Sequence, residues 1–274
     1  VIIIGAPRSG TNILRDVLTT MPAMATWPCD EINLMWRHGN ASYPNDEFPA
    51  ELATAPVQRY MRRHFETLSR RRATEIIVEK TCANSLRVDF VERIFPEATY
   101  LFIARDGIDA IASAMRRWTA PFELGYTLRK LRFVPLTDVP RYAARFVVNR
   151  LHRLKGGQGR LATWGPVFAG MDELARQLSL EEICALQWKA CVERAGESLQ
   201  RVPAKRVFRL RYEDFAREPV AVSRRICDFL GVAADAAELQ EATRRVRADS
   251  IGKGRRQLGD AELERISRHL ATSS

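Results

Sequence analysis

The sequence predicts an α/β fold, a central parallel sheet flanked by helices with a P-loop-like anion site, and three observations carry this. Short apolar runs alternate along the chain with turns and amphipathic stretches. A glycine-bounded loop, Gly5–Gly10, joins the first such run to the first such helix. No internal repeat, low-complexity tract or Gly/Ser linker divides the chain, so residues 1–274 are expected to form one domain.

Val1–Ile4 is a continuous apolar run of the kind a strand buried on both faces shows, and Ile13, Leu14, Val17 and Leu18 follow as one face of a helix. The alternation returns as Ile76–Val78 before a helical Leu86–Phe95 and as Tyr100–Ala104 before Asp106–Trp118. It returns again as Val207–Leu210 before Pro219–Leu230. Ile108, Ile111, Ala112 and Met115 form one apolar stripe and Val222, Ile226, Phe229 and Leu230 another, each able to pack on a sheet. Pro219 suits a first helical turn and Gly231 a C-terminal cap. Ser179 and Glu182 have the spacing of a capping box at the start of a long helix through Trp188 and Cys191. Asp260 is expected to cap the last helix, Ala261–Leu270. From about 119 to 170 the pattern loosens into a basic, glycine-containing stretch, read as an inserted or lid-like acceptor segment.

Composition narrows the classes. Hydrophobic residues make up 46% and charged residues 28%, which excludes a disordered tail, a collagen and a coiled coil, and no apolar run is long enough to span a bilayer. Lys plus Arg number 43 against 33 Asp plus Glu, a balance of +10 that points to an anionic partner without choosing among nucleotide, acidic glycan, nucleic acid and membrane surface. Cys29, Cys82, Cys184, Cys191 and Cys227 are widely spaced with no C-x-x-C, against a disulfide framework or zinc site and in favour of a reducing, cytoplasmic compartment. The chain opens on Val1 with no initiator Met, so trimming of any upstream segment is expected.

The most informative segment is Gly5-Ala6-Pro7-Arg8-Ser9-Gly10-Thr11-Asn12, between a buried-type strand and a helix. Its glycines let successive N–H groups and the positive helix end converge on an anion, with Arg8, Ser9 and Thr11 as side-chain donors. Against G-x-x-x-x-G-K-[ST], the Lys position is Thr11 and the magnesium-holding hydroxyl position is Asn12, so an ATP–magnesium reading loses both key groups. A phosphosulfate carries less charge on its transferable group than a γ-phosphate does. Fixed cations and oriented N–H groups suit sulfuryl transfer without a metal.

These residues resemble the sulfotransferases that use 3′-phosphoadenosine 5′-phosphosulfate (PAPS) and release 3′-phosphoadenosine 5′-phosphate (PAP). The loop 5–11 resembles that family's 5′-phosphosulfate loop, and Tyr100–Ser113 its 3′-phosphate strand and helix. Further echoes are Glu79-Lys80-Thr81, Arg211–Phe215 followed by Cys227–Gly231, and Ser250–Arg256. The resemblance covers nearly the whole chain outside 119–170. Arg8, in place of a loop Lys, is similar to the bacterial and tyrosylprotein-type branch, in which a Glu after the first helix acts as base, and Glu31 stands at that position. Asn12 replaces that family's usual second Thr.

The resemblance implies catalytic roles for Glu31, Arg8, Lys80 and Ser250, and donor contacts from Pro7, Arg8, Ser9, Gly10, Thr11 and Asn12. It implies 3′-phosphate reading by Arg105 and Ser113, a contact from Tyr212, and a closing loop with Lys253, Gly254 and Arg255. Burial should raise the Glu31 pKa while neighbouring cations lower it. Asp30 is the neighbouring candidate base, and His38 an outside one. Trp27 and Trp188 suit either stacking or core packing. The implied acceptor bears a hydroxyl; basic residues across 129–160 rank an acidic glycan first, with a tyrosine peptide or small metabolite open. Two alternatives stand beside this reading: a nucleotide kinase with a degenerate loop, and a non-enzymatic binder of nucleic acid or other polyanions.

Overall fold

The computed structural model describes residues 1–119 and 164–271. Strands β1 (Ile2–Ile4), β4 (Glu79–Lys80), β5 (Tyr100–Ala104) and β6 (Val207–Arg211) form an all-parallel sheet in the order β4-β1-β5-β6. Two shorter strands, β2 (Met24–Ala25) and β3 (Ile76–Ile77), pair separately. The fold is the predicted one.

Alternation of side chains across the sheet explains why its strands read as unbroken apolar runs. Ile2, Ile4, Tyr100 and Phe102 enter one core with helices α2 (Asn33–Trp36), α3 (Ala55–Arg72) and α4 (Val88–Ile94). Ile3, Leu101 and Ile103 point the other way, into a core with α1 (Thr11–Leu18) and residues of the later helices 212–217, 219–230 and 236–243. Each fully buried isoleucine stabilises the sheet by about 1.5–3 kcal/mol. A third cluster packs α5 (Gly107–Thr119), α6 (Met171–Gln177) and α7 (Leu180–Arg201) with the last helix, Asp260–Ala271.

Local signals set the helix ends. The Ser179–Glu182 capping box starts α7, and the helix Pro219–Leu230 begins on Pro219 and ends on Gly231 at φ 68°. Asp106 accepts from the Asp109 amide at 3.0 Å and so caps α5.

Three expectations change. The apolar run 76–78 does not enter the central sheet. Its Val78 amide bonds Ala25, and only at Glu79 does the chain cross to β1, where the Glu79 amide donates to Val1 O. The helix expected over Leu86–Phe95 is α4, shortened to Val88–Ile94 and preceded by a 3-10 turn, Cys82–Leu86. Asp260 is the first residue of the last helix, whose Glu262 side chain accepts from the Gly259 amide. Of the stretch 119–170, residues 120–163 lie outside the described residues, and with them the basic residues of 129–160.

From β1 the chain passes to β4 on one side and then to β5 on the other. This reversal opens a crevice at the carboxyl ends of β1, β4 and β5.

Candidate active site

The crevice is a cleft of about 660 Å³, a size that suits a nucleotide-class ligand. Its floor is the loop after β1. Gly5 lies so close to β5 that a Cβ would stand 2.7 Å from Ile103 O, and at Gly10, φ 89°, a Cβ would stand 2.3 Å from the Tyr212 ring. Arg8 takes a left-handed φ of 68°, a conformation costly for a residue with a Cβ and found where a site holds it.

Arg8 Nε donates to Ser113 Oγ at 3.0 Å, so the first loop and α5 meet across the cleft. Arg105, at the end of β5, donates to Arg8 O and to Ser250 O, both at 2.9 Å, and stacks 4.4 Å over the Tyr212 ring. Tyr212 Oη and Ser250 Oγ share a hydrogen at 2.7 Å. The late loop is held from below, where Asp109 accepts from the Gly252 and Gly254 amides at 2.6 Å each. Burial, and after it the charge of Arg117, lowers the Arg8 pKa, with Arg105 and Arg116 adding to the effect. Several cations thus converge on one place, which favours an anion there.

On the β4 side, Lys80 Nζ donates to Glu31 Oε1 at 2.8 Å and the Cys82 amide donates to the same oxygen at 3.3 Å. The Lys80 side chain is 2% exposed and that of Glu31 25%. Burial by itself lowers the Lys80 pKa, but the Glu31 carboxylate outweighs it and the ammonium is held above its ordinary value. Burial, then Glu31, pushes the Cys82 thiol up to about 12, so it stays protonated. Glu31 precedes the short helix α2, Asn33–Trp36, and its carboxylate turns to Lys80.

The cleft lining brings together Pro7, Arg8, Gly10, Thr11, Asn12, Glu31, Lys80, Arg105, Ser113, Tyr212, Ser250, Lys253 and Gly254, all anticipated from sequence. Two anticipated residues stand apart. The Ser9 amide donates to Ala6 O at 3.2 Å, closing the turn from inside, and Ser9 is not among the lining residues. Arg255 points to Asp106, 3.6 Å away, with 60% of its side chain exposed. Trp27 packs edge-on against Phe65, Trp188 lies against Gly107, and His38 stacks on Tyr60, so none of the three belongs to the lining. Asp109, Arg117, Asn33 and the segment Trp164–Pro166 were not singled out. Arg117 had a signal, since it follows Ser113 by one helical turn.

The residues fit a doubly phosphorylated nucleotide. Ser9 Oγ, Asn12 Oδ1 and Arg105 Nε are buried without a hydrogen-bond partner around the loop, and the first turn of α1 presents amides that no helical carbonyl takes. A parallel sheet whose central strand ends in such a loop, at a reversal of strand order, places this chain among the α/β proteins that have their ligand crevice at that point.

The chain belongs to the sulfotransferase family, whose model matches residues 1–163 and 167–236. Solved structures agree in fold. The sulfotransferase domain from the curacin biosynthetic pathway is 14% identical over 98% of this chain and 96% of its own, with a TM-score of 0.55. The sulfotransferase domain of the olefin synthase of Synechococcus PCC 7002 is 18% identical over 100% of this chain and 94% of its own, TM-score 0.55. Sulfotransferase STF9 from Mycobacterium avium is 15% identical over 99% and 76%, TM-score 0.54. No curated protein matches. Family and fold together make transfer of a sulfonyl group the activity of this chain. Among the described residues no helix is long and apolar enough to cross a membrane.

Proposed function

We propose that the protein transfers a sulfonate from PAPS to a hydroxyl acceptor and releases PAP, with Glu31 as general base. The observation that carries this reading is the convergence of two linked sites on one cleft. The Arg8–Ser113 and Arg105–Ser250 contacts join the two phosphate-reading segments, and the Lys80–Glu31 pair stands at the neighbouring strand end. Arg8 together with Glu31 favours the bacterial and tyrosylprotein-type branch.

PAPS, when bound, supplies the sulfonate and a phosphate leaving group. Arg8 and the α1 amides hold the 5′ side, while Arg105, Ser113 and the Gly252–Gly254 loop hold the 3′-phosphate. Glu31 accepts the acceptor's hydroxyl proton on a carboxylate oxygen as the acceptor oxygen bonds to sulfur and the sulfur–phosphate oxygen bond breaks. Protonation of Glu31 removes the charge that holds Lys80 Nζ, and the ammonium becomes available to the departing phosphate oxygen. Ser250, tied to Tyr212, orients the same region.

Calorimetric titration with PAP, AMP and ATP with magnesium at equal salt tests the reading. The expected result is PAP binding that collapses without the 3′-phosphate. Binding of ATP with magnesium in place of PAP contradicts it.

A further inference from the structure

We infer that Arg15 and Thr81 are positioning residues for Glu31, gripping the peptide groups on either side of it, and that buried Glu79 orients the Thr81 hydroxyl for this. The inference deepens the proposed function and rests on the reading of Glu31 as the base.

Residues 26–32, between β2 and α2, belong to no strand or helix, so no ladder holds the backbone that carries Glu31. The Glu31 side chain is flexible and 25% exposed, and solvent competes with Lys80 for its carboxylate. Two buried side chains fix the backbone beneath it. Arg15 Nη1 donates to Asp30 O at 2.9 Å, while Nε and Nη2 both reach Asp16 Oδ1, at 2.9 and 2.6 Å, and keep the guanidinium in that plane. On the other side of Glu31, Thr81 Oγ1 accepts from the Ile32 amide at 3.2 Å and donates to Glu79 Oε1 at 2.5 Å. Asn84 Nδ2 donates to the second oxygen of Glu79 at 2.9 Å. A hydroxyl has a single hydrogen, and committing it to Glu79 turns the Thr81 lone pairs to the Ile32 N–H. Thr81 and Glu79 are both buried, so these bonds form where they are hard to replace.

The strand explains the division of labour. Glu79, Lys80 and Thr81 run on in extended backbone, so Glu79 and Thr81 share one face and Lys80 takes the other. Lys80 meets the Glu31 carboxylate, and Thr81 meets the peptide group that follows it. Arg15 makes the matching contact from α1, whose first residue, Thr11, lines the donor end of the cleft. The elements proposed to hold the donor thus also set where the base stands. The placement matters because the attraction of two charges varies inversely with distance, and a retreat of the carboxylate from 2.8 Å to about 6 Å halves it.

The test is urea unfolding of the full chain with Glu31→Gln placed on the wild type, on Thr81→Val and on Thr81→Ser. On the wild type Glu31→Gln lowers the unfolding midpoint, since Lys80 loses its counter-charge. On Thr81→Val, where the carboxylate has already drawn away, the shift is expected to be about half as large or less. On Thr81→Ser, which keeps the hydroxyl, it is expected to stay within about a fifth of the wild-type shift. PAP affinity of both single variants, read by calorimetry, should stay within about threefold of the wild type. If Thr81→Val does not fold, Arg15→Met, whose partner Asp16 is 57% exposed and tolerates the loss, is expected to halve the shift in the same way. An undiminished shift overturns the inference, as does an equal reduction on Thr81→Ser. A loss of PAP affinity of about tenfold or more on Thr81→Val also overturns it, by marking a general loss of packing. Transfer from radiolabelled PAPS to 4-ethylphenol, methyl β-glucoside or water that survives undiminished in Glu31→Gln overturns the reading of Glu31 as the base instead.

Discussion

The Lys80–Glu31 pair carries the chemistry proposed for the cleft, and a double-mutant cycle measures what it contributes to stability. Two unit charges 2.8 Å apart attract by about 6 kcal/mol at an effective dielectric of about 20. Desolvation of Lys80, 2% exposed, offsets a large part of this. Glu31→Gln leaves a buried ammonium without its counter-charge and is expected to cost about 3–5 kcal/mol. Lys80→Met leaves a carboxylate that keeps the Cys82 amide and some solvent, and should cost about 2 kcal/mol. The double variant removes both charges and should lie within about 1–2 kcal/mol of the wild type. The interaction energy read from urea unfolding is then about 3 kcal/mol or more. A value below about 1 kcal/mol, or a double variant as unstable as the sum of the singles, refutes the reasoning.

The same pair predicts a pH dependence of known sign. The folded pKa of Lys80 lies above its unfolded value of about 10.4, so the stabilisation is fully present below about pH 10 and is lost as pH rises through the folded value. The wild-type urea midpoint should fall towards that of Lys80→Met above about pH 10.5, and parallel curves contradict the assignment.

Three further perturbations separate fold from donor binding. Arg8→Gly relieves a left-handed φ and should change stability by no more than about 1 kcal/mol while PAP affinity, read by calorimetry, falls about tenfold or more. Gly10→Ala forces a methyl against the Tyr212 ring at a positive φ and should destabilise by about 2 kcal/mol or more in urea, with loss of PAP binding. Asp109→Ala frees the Gly252 and Gly254 amides and should reduce PAP affinity more than AMP affinity if, as proposed, that loop serves the 3′-phosphate; equal losses would argue against that role.

What could be read from sequence, and what could not, follows from the range of the interactions involved. The loop 5–12 was legible because its glycines, its cation and its place between strand and helix are all local, and the helices 180–201 and 219–230 because caps and apolar stripes are local too. Glu79–Lys80 was not legible as a sheet strand, since two ionisable residues on a fully buried strand contradict any hydrophobic pattern. They are tolerated because Glu79 accepts from Thr81 and Asn84 while Lys80 meets Glu31, 49 positions away. Burial raises the Glu79 pKa despite those bonds, a sign that the strand's place in the sheet outweighs the comfort of its side chain. Asp109 and Gln187 are illegible for the same reason. Each looks like an ordinary helical polar residue until a distant segment supplies the backbone groups it holds, at Gly252 and Gly254 for one and Trp164 and Pro166 for the other. In this fold the residues expected to touch the donor announce themselves locally. The polar residues that shape the cleft around them become readable only through their partners.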